Sequence, residues 1–81
     1  MIKINKSEAR KQFNFGVNVY IIPNKMNINN MVIPFYKMNK WELESIDNDI
    51  TFDKFISEYE YYNCMYETGY YCSYYLVEGG L

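Results

Sequence analysis

Between Thr51 and Val77 the chain changes its hydrophobic period once, and that change constrains what the whole can fold into. Phe52, Phe55, Ile56, Tyr59 and Asn63 recur every three or four residues, which places them on one face of a helix. Thr51 is a natural N-cap, and Asp53 puts a carboxylate in the first turn, where the helix dipole favours it. Lys54, Ser57, Glu58 and Tyr61 fall away from the apolar stripe. After Glu67-Thr68-Gly69, where glycine suits a turn, the spacing becomes that of a strand from Tyr70 to Val77. Cys72 and Leu76 then face inward, and Tyr71, Ser73 and Tyr75 face the other way. The remaining elements must supply a surface for this helix and strand to cover.

Upstream, Asn5 with Glu8 three residues on is a capping-box arrangement, and Gly16 follows where a helix would stop. A helix from Lys6 to about Phe15 is expected, too short to stand alone, so Phe13 should be packed on a neighbour. Val17 to Ile22 alternates as a strand that Pro23-Asn24 ends, placing Tyr20 and Ile22 on the same side as Tyr71, Ser73 and Tyr75 if the two strands pair. Asn27 to Asn30 is turn-forming, and a second strand runs from Met31 to about Met38. Pro34 cannot donate to a ladder, which makes that strand an edge or a bulged one. Trp41 and Leu43 share a face in extended chain, with Glu42 and Glu44 opposite and roughly 6.6 Å apart, so a continuation or a separate short strand is expected there. Ser45 to Ile50 reads as an acidic connection.

These elements amount to one domain over residues 1–81, an α+β fold in the order α-β-β-α-β. Its sheet is three-stranded and mostly antiparallel, with helices packed on it. A chain of this length buries roughly 60–65 % of its unfolded surface, so its margin of stability is thin. No run is long enough for a membrane span, and the N-terminus lacks the apolar core of a signal peptide. A reducing cytoplasm is therefore expected, with Cys64 and Cys72 as reduced, largely buried thiols. Eight residues apart, they form neither a CxxC pair nor a zinc ligand set, and the chain has no histidine. Without histidine, an activated cysteine, a glycine-rich phosphate loop or a nucleophile elbow, the sequence carries no enzyme signature, and no cofactor or metal is expected.

The anomaly is tyrosine. Ten are present, eight of them between Thr51 and Val77, more than a core of this size needs. Tyrosine is enriched where proteins bind proteins, because it offers a large rigid contact area with a polar tip. Charge then weighs between partners. Residues 1–40 carry seven basic side chains against one acid, a net +6, whereas residues 41–81 carry one against nine, a net −8. The two halves either face and neutralise one another or present separate surfaces. A tyrosine-rich half at −8 suits a basic groove better than it suits phosphates, which argues against nucleic acid as its ligand.

The pattern Lys6-Ser7-Glu8-Ala9-Arg10, Phe13, Gly16, Tyr20 and Pro23-Asn24-Lys25, followed by Asp53, Phe55, Tyr61-Tyr62-Asn63-Cys64 and Glu67-Thr68-Gly69-Tyr70, resembles short phage and mobile-element proteins of Gram-positive bacteria. Such proteins are similar in size and acidity to anti-CRISPR and other anti-defence inhibitors. The resemblance implies a setting in the host bacterial cell and carries no target across; with the acidic, tyrosine-rich half, the expected partner is a bacterial defence protein, such as a CRISPR effector, met at a basic nucleic-acid groove. The resemblance implies no catalytic residue. The expected contact residues, read from their outward positions and charge, are Glu58, Tyr61, Tyr66, Glu67, Tyr71 and Tyr75. Two other readings stay open: a nucleic-acid-binding module using Lys6, Arg10, Lys11 and Lys25, and an accessory protein that self-associates through its tyrosines.

Overall fold

The computed structural model of the protein describes residues 1–26, 35–64 and 71–77. Among these the elements run β1 (Ile2–Ile4), α1 (Lys6–Asn14), β2 (Val19–Pro23), β3 (Tyr36–Met38), α2 (Lys40–Ile46), α3 (Phe52–Asn63) and β4 (Cys72–Leu76). The strands form one sheet in the order β1-β4-β2-β3, each neighbouring pair antiparallel. Because β1 and β2 both run against β4, they are parallel to one another with β4 between them. By the same logic β3 and β4 are parallel, separated by β2. Each helical connection therefore steps over one strand, and the two crossovers interlock.

The α+β class agrees with the sequence reading, but the sheet has four described strands, not three, and the order is β-α-β-β-α-α-β. Two elements account for the difference. Ile2-Lys3-Ile4 offers a single apolar alternation, too little to mark a strand by pattern, and it becomes one only because the edge of β4 is there to pair with. Residues Trp41 to Glu44 form helix rather than strand, because Asn39 caps them: its Oδ1 accepts from the Trp41 and Glu42 amides at 3.0 and 3.2 Å. Residues two apart on a helix point in nearly opposite directions, so Leu43 is buried while Trp41 stands 59 % exposed. The expected row of Glu42 and Glu44 on one face is lost for the same reason.

Elsewhere the local signals agree with the structure. Asn5 Oδ1 accepts from the Glu8 amide at 2.8 Å. At the far end of α1 the Gly16 amide donates to Phe13 O (2.9 Å) and the Val17 amide to Gln12 O (3.0 Å), a Schellman closure with Gly16 at φ +85°. The first long strand begins at Val19 and runs one residue past its expected end, with Pro23 opposite Cys72. The second strand is described from Tyr36 to Met38 and lies at the sheet edge, as its proline suggested; Pro34 and residues 27–33 lie outside the described residues. The final strand is described from Cys72 to Leu76. The turn at Gly69 lies outside the described residues.

All three helices pack on one side of the sheet. Val19, Ile21, Met38 and Tyr74 face them, against Ala9 and Phe13 of α1, Leu43 of α2, and Phe52, Ile56 and Tyr59 of α3. Phe13 finds its neighbour in Phe52, edge to face at 5.7 Å, and Phe52 meets Tyr74 at 6.0 Å. Each such ring, fully buried, contributes about 2–3 kcal/mol. The α3 stripe is as spaced in the sequence: Phe52, Ile56, Tyr59 and Asn63 are buried, and Phe55 is half-buried against Tyr36. Asn63 is accommodated because its side-chain amide donates to Tyr59 O at 2.9 Å.

Candidate functional site

With that stripe buried, α3 presents Lys54, Glu58, Tyr61 and Tyr62 on its outer side. Glu58 lies three and four residues before the tyrosines and therefore shares their face. Tyr61 is 63 % and Tyr62 53 % exposed, and their rings meet edge to face at 5.0 Å. Each ring limits the rotation of the other while both remain accessible. Glu58 forms no ion pair among the described residues, and Lys54 reaches back to Asp47 at 3.5 Å. Tyr62 was absent from the expected contact residues; its adjacency to Tyr61 in an exposed turn of helix was the signal that could have included it.

Of the remaining expected residues, Tyr71 and Tyr75 do not join this patch. Tyr66 and Glu67 lie outside the described residues. Tyr71 is half-buried and packs against the core, not free on an outer face. Tyr75 lies on the far side of the sheet, opposite Tyr20 in the β2–β4 register, with Ser73 opposite Ile22, as their alternation suggested.

Charge is arranged between the expected alternatives. Arg10 donates to Asp53 Oδ1 from Nη2 at 2.8 Å and from Nε at 3.3 Å, and Lys37 meets Glu42 at 3.3 Å, so ion pairs among the described residues join the basic half to the acidic half. The Arg10 hydrogen bond holds the Asp53 carboxyl below the usual carboxylate range. Both partners are exposed, so the pair adds little to stability.

A cavity of about 420 Å³ opens beside β1 and β4, lined by Lys3, Lys6, Glu60, Tyr71 and Cys72 among others. Burial pushes the Glu60 carboxyl above its usual range, with Lys6 acting against it. Cys64 Sγ and Cys72 Sγ, both free thiols, lie 3.5 Å apart, a contact that their sequence spacing did not announce. Burial pushes both thiols up, which keeps them protonated at neutral pH and poor as nucleophiles. Among the described residues no three metal-ligating side chains come together, and no helix is long and apolar enough to cross a membrane. Comparison with protein-family models, characterised proteins and solved structures finds no match for the chain.

Proposed function

We propose that the protein is a non-enzymatic inhibitor that docks on a basic surface of a partner protein, with Tyr61 and Tyr62 as anchors and Glu58 steering the approach. In the setting implied by the sequence resemblance, the partner is a bacterial defence protein such as a CRISPR effector, met at the groove it uses for nucleic acid. The observation that carries this reading is the exposed edge-to-face tyrosine pair beside Glu58, a carboxylate with no ion pair among the described residues. Two large rings held in solvent gain little for folding, and their mutual contact lowers the entropy cost of ordering them in an interface. The protonated thiols support a binding role over a nucleophilic one.

The test is plating of a targeted phage on cells with an active CRISPR effector, with and without the protein, followed by kinetics on the purified pair. The protein should raise plating efficiency. Tyr61→Ala and Tyr62→Ala should each weaken binding about thirtyfold, the scale of an interface hot spot, at unchanged thermal stability. Glu58→Lys should act mainly on the association rate and lose its effect in high salt. Parent-like inhibition by all three variants would place the contact elsewhere, and no protection against any defence system would end the reading.

A further inference from the structure

The face of the sheet opposite the helices carries a row that no stretch of the sequence contains. In the register, Lys3 of β1 lies opposite Tyr75 of β4, Tyr75 opposite Tyr20 of β2, and Tyr20 opposite Lys37 of β3. All four strands thus contribute one residue each to a single line, lysine-tyrosine-tyrosine-lysine, with the tyrosines on the two central strands. Alternation fixes the direction of Tyr20, Lys37 and Tyr75, because their immediate chain neighbours Val19, Ile21, Met38 and Tyr74 are buried under the helices, and Ile4, next to Lys3, packs against the same core. Strands lie roughly 4.8 Å apart, so the two rings are near neighbours and the lysines stand roughly 14 Å from one another. Phe35, 43 % exposed, extends the aromatic surface with its ring 5.4 Å from Tyr20. The other strand positions on this side are the half-buried Ile22 and the buried Ser73, and none of the six is acidic. Nine acids crowd the second half of the chain, yet within the strands this face is positive.

We propose that the outer face of the sheet binds single-stranded nucleic acid, with two adjacent bases stacked on Tyr20 and Tyr75 and the flanking phosphates held by Lys3 and Lys37. Aromatic side chains on central strands accept unstacked bases whatever their identity, and lysines at the ends of the row supply the charge that such binding requires. Lys3 forms no ion pair among the described residues, whereas Lys37 is shared with Glu42 at 3.3 Å, so a phosphate must displace that carboxylate. The site is distinct from the Tyr61–Tyr62 patch and goes beyond the protein-binding reading.

Fluorescence anisotropy with labelled oligothymidylate, oligouridylate and a duplex of equal length tests it on purified protein, without any partner, so failure here leaves the protein-binding reading standing. Two phosphate contacts predict a salt slope of about −1.4, or about a sevenfold loss between about 50 and about 200 mM salt. Tyr20→Leu and Tyr75→Leu keep apolar bulk in the strands and remove the rings; each should weaken single-strand binding about tenfold or more. Lys3→Gln should reduce the slope by about 0.7. Glu42→Gln should instead tighten binding, a gain that no folding defect can mimic. Comparison of the two single strands decides between DNA and RNA as the natural source. Absence of binding at low salt, duplex bound as tightly as single strand, or leucine variants binding as the parent does would each overturn the proposal.

Discussion

Replacing Gly16 by alanine should reveal how closely α1 and α2 are joined. Gly16 sits at φ +85°, where the Schellman closure of α1 needs a left-handed residue, and an L side chain there costs about 1–2 kcal/mol. A second effect is steric: the new Cβ would stand 2.6 Å from Trp41 Nε1, closer than Cβ atoms approach their neighbours, and 3.1 Å from Cε2, a tight contact. Trp41 is exposed enough to swing aside, so the indole should move while the backbone of α1 holds. The melting temperature should then fall by about 4–16 °C, at about 4–8 °C per kcal/mol in a domain of this size. Trp41 is the only tryptophan in the chain, so its emission reports the displacement directly. A double-mutant cycle with Trp41→Ala separates the two effects, because Gly16→Ala in that background retains only the backbone cost. Unchanged melting together with unshifted emission would refute the argument.

The remaining predictions follow from burial. Phe52→Ala removes a ring that is 2 % exposed and touches both Phe13 and Tyr74. Its cost of about 3–5 kcal/mol is a large part of the about 4–12 kcal/mol available to a chain of this length, so circular dichroism should show substantial unfolding at 37 °C. Glu60 should respond to pH in the opposite sense to Asp53. Burial raises the Glu60 carboxyl, so the folded state favours its protonated form; that stability is complete below the unfolded value of about 4.3 and is lost as pH rises through the higher folded value. Glu60→Gln should accordingly melt above the parent at neutral pH and lose its advantage near pH 4. The lowered Asp53 contributes above about pH 3.9 and loses that contribution as pH falls through its folded value, so Asp53→Asn should be slightly destabilised at neutral pH and match the parent in strong acid. A Glu60→Gln melting curve parallel to the parent across this range would show that the carboxyl is not held in a desolvating site.

Local chemistry determined much of this fold before any tertiary contact. Asn5 with Glu8, Thr51 with its apolar stripe, and Gly16 after Phe13 specify where two helices begin or end, because capping bonds and helical spacing involve residues only a few positions apart. The strand expected over Val17 to Ile22 and found at Val19–Pro23, with its outward Tyr20, was legible for the same reason, through alternation. Helix α2 carries a local signal as well, since Asn39 and Glu42 repeat the Asn5 and Glu8 pattern, but the extended reading of Trp41 and Leu43 did not use it. Tertiary structure alone decided which residues became neighbours. Strand β1 exists because β4 offers it an edge, and the two thiols meet because a helix end and a strand converge. The charge of the two halves was correctly read as +6 and −8, but it says little about any surface, because the interlocked crossovers insert β4 from the acidic half between β1 and β2 from the basic half. Tyr75, from the acidic half, thereby comes to lie between Lys3 and Tyr20, a placement set by strand order and register, quantities that depend on contacts across most of the chain.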